Sequence, residues 1–252
     1  GREILFASQR KVPEGLLMPS SLWRISAAGG QPVPMSIPTR FGQYPNNPTI
    51  SRDGSRLVCE ERDIWSSDIW RTPGPHASGD ETLPAKLIAS TWPENNAQFS
   101  PNGKRIAYVG GGSGNLEIWV CDEQGQACAQ LTSMAPMIPQ NPRWSPDGNE
   151  VAFDSGGDIY VVRSDGGSPR RLTVETAEKA LPSWSRDGQW IYYGSNRGGT
   201  WQVWKSPSAG GVAVQVTQHG GVEAFESFDG RFLYFTKPIG LMWTFGLSSI
   251  WR

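Results

Sequence analysis

Two unrelated short phrases recur along this chain with one common spacing, and this feature constrains the fold more than any other. The first phrase, as in "SLWR", "DIWR" and "EIWV", carries an aromatic residue at intervals of 47, 49, 41, 44 and 47 residues, at Trp23, Trp70, Trp119, Tyr160, Trp204 and Trp251. The second, as in "WSPDG", carries a serine at intervals of 49, 45, 40 and 42 residues, at Ser51, Ser100, Ser145, Ser185 and Ser227. A shared period of this size indicates stacked supersecondary units.

One repeat, residues 142–173, shows what each unit is. "PRWS" is a short strand, and "SPDG" fits a type I turn with proline at its second position and glycine at its fourth. "NEVAFDS" alternates apolar and polar residues as a strand does, "DIYVV" is a third strand, and the Asp-Gly of "SDGG" centres a hairpin to a fourth, "PRRLT". The repeat therefore predicts four antiparallel strands, which we name A to D.

A single four-stranded sheet cannot bury both of its faces, so neighbouring sheets must stack. Radial stacking with protected edges is the β-propeller architecture. We predict one all-β domain over residues 1–252, a six-bladed β-propeller of four-stranded antiparallel blades. The predicted blades are residues 1–37, 48–90, 97–132, 142–173, 182–217 and 223–252. The first blade is expected to lack strand A and the last to lack strand D, so the chain reads as a segment of a longer polypeptide.

Charge and hydropathy exclude two classes of partner. Lys+Arg is 23 and Asp+Glu is 24, a net charge of −1, which gives no general attraction to nucleic acid or to anionic lipid. The longest uncharged run, residues 238–251, is interrupted by glycines and is too short to cross a bilayer as a helix. We therefore expect neither nucleic-acid binding nor membrane insertion by this segment.

The motifs "FSPNGKRIAYVG", "WSPDGNEVAFDSGGDIYVV" and "WSRDGQWIYYGSNRGG" resemble the TolB-type, WD-repeat-like β-propeller, and the resemblance covers essentially the whole chain. The chain departs from it at Asn102, which replaces Asp, and at Phe228, which replaces Pro. The resemblance implies a partner-binding module of the bacterial periplasm. Similar propellers also accompany the hydrolase domain of prolyl-oligopeptidase-like peptidases, and a related one forms oligogalacturonate lyase.

Catalytic signals are weak in this sequence. Two histidines, His76 and His219, cannot build a histidine-rich metal site, and "GGSGN" at residues 111–115 fails the spacing of a nucleophile elbow. The recurring Asp147, Asp187 and Asp229 fit turn positions rather than paired catalytic carboxylates. We predict no catalytic residue, no metal and no cofactor.

Three cysteines lack zinc-site spacing. With Gln124 and Gly125 at the centre of a hairpin, Cys121 lies directly opposite Cys128, within disulfide distance. A bridge and two reduced thiols both remain open from the sequence, and Cys59 has no evident partner.

The remaining candidates are surface residues on the D–A and B–C connections, which share one face around the mouth of the central channel. Loops on a rigid scaffold commonly carry binding residues, and asparagine offers both donors and acceptors. The candidate binding face comprises Asn47, Trp65, Trp92, Asn95, Asn96, Gln140, Asn141, Arg197 and Glu223. We expect alanine at Asn47, Asn96 and Asn141 together to weaken binding and to leave the melting temperature nearly unchanged.

These patterns predict a non-catalytic module that binds a protein or a small polar ligand at the channel mouth, outside the cytoplasm of a bacterium. The alternative is the accessory propeller of a prolyl-oligopeptidase-like serine peptidase. A third hypothesis is a propeller carbohydrate-active enzyme.

Overall fold

The computed structural model describes residues 3–8, 21–35, 45–62, 67–75, 77, 84–237 and 249–251. The described residues form antiparallel strands and turns. Contacts between Cα atoms divide the chain into two compact units, Gly1–Ala129 and Gln130–Arg252.

The first unit holds three sheets, each of consecutive antiparallel strands. Sheet 1 contains β1 (Glu3–Ser8), β2 (Ser21–Ser26) and β3 (Val33–Pro34). Blade 1 contains β4 (Pro45–Ile50), β5 (Arg56–Arg62), β6 (Ser67–Pro73) and β7 (Ala85–Ile88). Blade 2 contains β8 (Glu94–Phe99), β9 (Arg105–Gly110), β10 (Glu117–Asp122) and β11 (Ala129–Gln130), whose last residue crosses the boundary.

The second unit also holds three sheets with the same consecutive order. Blade 3 contains β12 (Gln140–Trp144), β13 (Glu150–Ser155), β14 (Asp158–Arg163) and β15 (Arg170–Arg171). Blade 4 contains β16 (Lys179–Trp184), β17 (Trp190–Ser195), β18 (Gln202–Pro207) and β19 (Val214–Gln215). Blade 5 contains β20 (Ala224–Glu226), β21 (Leu233–Lys237) and β22 (Ser249–Trp251).

The predicted count of six blades is wrong. The described residues form five blades, counted as sheets that open with strand A and its serine turn, namely the sheets that begin with β4, β8, β12, β16 and β20. Sheet 1 is a partial sheet of three strands that begins with strand B among the described residues. The sequence count was one too high because it used the aromatic anchors of strand C. Trp23 occupies the anchor position of sheet 1 opposite Phe6, although that sheet has no described strand A.

The serine phrase makes the same turn five times. In each blade the serine hydroxyl donates to the side chain two residues later, at 2.5–2.8 Å, and accepts the backbone N–H five residues later, at 2.9–3.0 Å. These hydrogen bonds hold the pKa values of Asp53, Asp147, Asp187 and Asp229 below the usual range. The recurring aspartates are thus structural turn residues, as the sequence predicted.

The cores lie between neighbouring sheets of each unit. Val58 and Ile69 of blade 1 pack with Phe99 and Ile106 of blade 2, and Ile159 of blade 3 packs in the same way with residues of blade 4. The B strands β9, β13 and β17 are each buried at five consecutive residues. Because both faces of these strands are covered, a polar side chain on them that lacks a hydrogen bond is costly.

Candidate functional site

Each blade has two different ends. The A–B and C–D turns form the turn end, and the D–A and B–C connections form the loop end. The A–B turns repeat the serine network described above, whereas the loop end changes from blade to blade. The B–C connection is residues 111–116 in blade 2, 156–157 in blade 3 and 196–201 in blade 4. Because the loops of the loop end differ between blades that share the same strands and turns, we take the loop end as the candidate functional site.

A β-bulge in strand A shapes the loop end of four blades. The register shifts within β4, β8, β12 and β16. One residue at each shift has a positive φ: Asn47 (46°), Asn96 (54°), Asn141 (50°) and Leu181 (57°). Asparagine tolerates this left-handed conformation better than most residues. The repeated asparagines are therefore explained by backbone geometry, a reason that the sequence analysis missed.

In the first unit the bulge joins two blades. The Asn47 side-chain amide donates to Glu60 Oε2 at 2.8 Å and to Asn96 Oδ1 of the next blade at 3.3 Å. Glu60 is 1% exposed and lies on β5. The amide of Asn47 thus satisfies a buried carboxylate and couples blade 1 to blade 2.

In the second unit the equivalent bulge joins blade 3 to blade 4 through hydrogen bonds to Asp154. The Asn141 amide donates to Asp154 Oδ1 at 2.9 Å, and the backbone N–H of Leu181 in blade 4 donates to the same oxygen at 3.1 Å. Burial raises the pKa of Asp154 to about 6, against these two hydrogen bonds and the nearby Arg143 charge, which lower it. Replacing Asn141 with alanine would strain the backbone and remove a hydrogen bond, so from the structure we expect the triple alanine variant to melt at a lower temperature than the wild type.

The first residue of strand A carries opposite charges in the two units. In blade 4 it is Lys179, 3% exposed, whose ammonium donates to Asp158 Oδ1 of blade 3 at 2.8 Å and to the Glu175 carbonyl. Arg171 and Thr173 also donate to Asp158, at 2.5 and 3.0 Å.

In blade 2 the same position is Glu94, also 3% exposed. Its carboxylate accepts hydrogen bonds from the hydroxyl and the backbone N–H of Ser90. Burial and the charge of Asp68 in blade 1 raise the pKa of Glu94, against the Ser90 hydrogen bonds and the charge of Lys86. Asp68 aligns with Asp158, since each is paired with the corresponding B-strand residue, Glu61 or Ser155.

The predicted site residues divide between the two units. Asn47, Trp92, Asn95 and Asn96 lie in the first unit, and Gln140, Asn141, Arg197 and Glu223 lie in the second. Trp65 lies outside the described residues. The structure brings Asn47 and Asn96 into contact. Trp92 is 45% exposed.

Two of the second-unit candidates are held by ionic contacts. Glu223 accepts from Arg143 at 3.1 Å, with side chains 26% and 17% exposed. The Arg197 guanidinium lies 5.0 Å from the centre of the Trp204 ring and 3.5 Å from a Glu175 oxygen. Arg197 is therefore an exposed cation that is already oriented by an aromatic ring.

Cys121 and Cys128 form a disulfide in the structure, with their Cα atoms 4.1 Å apart. The bridge closes the C–D hairpin of blade 2, at the turn end. Cys59 is buried on β5 and forms no disulfide with another described cysteine.

Sequence reasoning missed the buried charges Glu60, Glu94, Asp154 and Lys179. The sequence carried a signal for Asp154, because this residue directly follows the apolar run "VAF". In the structure, the residues of β13 on either side of Asp154 are buried. The described part of the chain contains no group of three or more His, Cys, Asp or Glu side chains arranged to hold a metal ion. Among those same residues, no helix has the length and apolar character needed to cross a bilayer; most of the uncharged run 238–251 lies outside them.

The TolB beta propeller domain family matches residues 78–244, more than half of the sequence. This chain belongs to the TolB β-propeller domain family. An uncharacterized protein of Agrobacterium fabrum is 36% identical to this family member over 219 residues, which are 84% of the chain and 58% of that protein. The chain thus spans little more than half the length of this curated relative.

Superposition on solved structures shows that this TolB-type chain shares their fold. The crystal structure of TolB from Acinetobacter baumannii superposes with a TM-score of 0.73 at 19% identity, over 94% of this chain and 58% of that one. A puromycin-hydrolyzing peptidase of Mycobacterium tuberculosis superposes with a TM-score of 0.62 at 17% identity, over 90% of this chain and 41% of that one. At these identities both comparisons show an all-β propeller fold and no more.

Proposed function

We propose that this chain is a non-catalytic recognition module that binds a protein or a small polar ligand at the loop end of its blades, outside the bacterial cytoplasm. The contrast between the two ends carries the proposal. Five A–B turns use their side chains in one repeated hydrogen-bond network, so those side chains are committed to the backbone. The loop end instead presents different side chains in each blade, among them the exposed Trp92 and the oriented Arg197.

Membership of the TolB family supports this proposal, because the resemblance implies partner binding in the periplasm. The Cys121–Cys128 disulfide supports the location, since structural disulfides persist in oxidising compartments. The accessory propeller of a serine peptidase is the second candidate, supported by the superposition on the puromycin-hydrolyzing peptidase. A hydrolase domain elsewhere in the parent polypeptide would favour that candidate.

Paired photo-crosslinking tests the proposal. A photoreactive amino acid is placed at Trp92 or Arg197 at the loop end, and at Asn149 or Asp165 at the turn end. After irradiation in the source cell, we expect discrete adducts from the loop-end positions alone. The partner identified in those adducts is then purified and titrated against the unlabelled chain. Adducts that form from the turn end instead would overturn the assignment, and so would turnover of peptide or ester substrates that survives repurification.

A further inference from the structure

A groove of about 290 Å³ lies inside the first unit, between β7 and blade 2, and its lining runs from Gly110 and Gly112 at the loop end to Gly125 and Cys128 of the C–D hairpin. Its lining includes Ser90, Glu94, Tyr108, Gly110, Gly112 and Trp119. It contains a buried carboxylate and two aromatic rings. The glycine-rich sequence "GGGSGN" forms its B–C side, a motif that neither the fold nor the turn network explains.

The glycines allow aromatic rings to lie directly on the backbone. A Cβ atom added at Gly110 would come within 2.7 Å of the Tyr108 ring, and one added at Gly111 would come within 2.8 Å of Trp92. The Trp119 indole N–H donates to the Gly110 carbonyl at 3.1 Å, which fixes that ring. A side chain at residue 110 would therefore displace the Tyr108 ring that lines the groove.

The carboxylate of Glu94 accepts hydrogen bonds from the neutral groups of Ser90. It shares its nearby cation, because Lys86 of neighbouring β7, whose charge lowers the pKa of Glu94, is ion-paired with Asp68 at 2.5 Å. Burial and the charge of Asp68 raise the pKa of Glu94 against the Ser90 hydrogen bonds and the Lys86 charge, and burial together with the Glu94 charge raises the pKa of Tyr108 to about 12. Burying a carboxylate without a counter-charge of its own is costly, and an incoming cation would offset that cost.

We infer that this groove binds the cationic side chain of a partner polypeptide, with the guanidinium of arginine or the ammonium of lysine against Glu94. Tyr108 and Trp119 supply aromatic surface on which such a cation and its alkyl stem pack. Complementary charge favours this occupant over a neutral or anionic one. The inference rests on the proposed recognition function and specifies the chemistry of one of its subsites.

Calorimetric titration of the purified chain tests the groove. The probe is acetyl-Gly-Arg-Gly-amide, and its matched control has citrulline in place of arginine, which keeps the shape and removes the charge. We expect the arginine peptide to bind at least ~10-fold more tightly than the citrulline peptide. Its affinity should rise with pH as Glu94 ionises.

Three variants separate the groove from general charge. Glu94→Gln should abolish the preference for arginine over citrulline. Asp165→Asn, which removes the same charge from an exposed turn of the second unit, should leave the preference unchanged. Gly112→Leu, at an exposed position of the groove lining, should weaken both peptides by occupying the groove. If Glu94→Gln does not fold, the test rests on the Gly112→Leu variant, whose binding of the two peptides is measured instead.

Equal binding of the two peptides, no detectable binding of either, or an unchanged preference in Glu94→Gln would overturn the inference. Agmatine, a free guanidinium with an alkyl chain, distinguishes the source of the cation. If agmatine bound as tightly as the arginine peptide, the assignment to a polypeptide side chain would be wrong. If crosslinks formed at the loop end but the arginine peptide showed no preferential binding, the proposed function would stand and only the inference about this groove would be wrong.

Discussion

The contact between blades 3 and 4 and the contact between blades 1 and 2 place different charges at one position of the repeat. In the second unit, Lys179 opens strand A and neutralises Asp158 of the preceding blade. In the first unit, Glu94 opens strand A near the like-charged Asp68, accepts hydrogen bonds from the neutral groups of Ser90, and shares the charge of Lys86 with Asp68. The frame is the same in both cases. In the second unit the buried carboxylate of Asp158 is neutralised by Lys179. In the first unit the buried carboxylate of Glu94 faces a groove.

The difference teaches how a repeat protein separates stability from recognition. Lys179 is buried and ion-paired with Asp158, which Arg171 also contacts, and removing a member of a buried ionic group is costly, so Lys179 is a structural residue. Burial raises the pKa of Glu94 against the hydrogen bonds from Ser90, and a buried carboxylate of this kind can accept an external cation. The same backbone position therefore stabilises one unit and offers a binding group in the other.

The largest expected effect comes from breaking the buried ion pair between Lys179 and Asp158. Lys179→Met removes the ammonium from buried Asp158 and should lower the free energy of unfolding by about 3 kcal/mol. Urea denaturation measures it. The matched control is Lys86→Met in the first unit, where the side chain is 53% exposed and the loss should stay below about 1 kcal/mol. Equal losses in the two variants would contradict the comparison.

The next effect is the pH dependence contributed by Asp154. Its folded-state pKa of about 6 lies above the unfolded value of 3.8, so the unfolded chain loses this proton first as the pH rises. The Asp154 contribution to stability is therefore complete below pH 3.8 and is lost between there and about pH 6. The loss amounts to roughly 3 kcal/mol.

Asp154→Asn should remove this component from the pH profile of unfolding. Asp147 in the same blade has the opposite sign, since its lowered pKa stabilises the fold above pH 3.8 and that stability is lost as the pH falls. An Asp154→Asn profile that matched the wild-type profile between pH 4 and pH 6 would argue against the raised pKa.

A smaller effect concerns the bulges. Asn141→Ala gives up the residue best suited to φ 50° and a hydrogen bond to Asp154, and should cost about 2 kcal/mol. Leu181→Asn places a better-suited residue at φ 57°, so its stability should stay within about 1 kcal/mol of wild type. Thermal unfolding of the two variants ranks them, and a less stable Leu181→Asn chain would show that side-chain packing outweighs backbone strain at this position.

The periodic part of the fold was predictable from sequence because each repeat carries its own local chemistry. Ser145, Asp147 and Gly148 specify a turn through contacts within five residues, so the turn could be read directly. The blade count was one too high because it included sheet 1, which carries the strand-C anchor Trp23 but has no described strand A or serine turn.

The candidate site was predicted only in outline. The choice of the loop end follows from loop variability, which the sequence shows. The role of Asn47 and Asn141 could not be read, because it depends on a positive φ and on carboxylates 13 residues away along the chain. The partnership of Lys179 with Asp158 spans two blades, and no local pattern distinguishes it from an exposed lysine.

Hydrogen–deuterium exchange of the complex with the partner found by crosslinking tests the central claim most directly. The account predicts slowed amide exchange on binding in the loop-end segments, residues 89–93 and 111–116 of blade 2 and residues 196–201 of blade 4. The turn-end segments 100–104 and 185–189 should exchange as they do in the free chain. Protection confined to those A–B turns, with the loop-end segments unchanged, would contradict the assignment of recognition to the loop end.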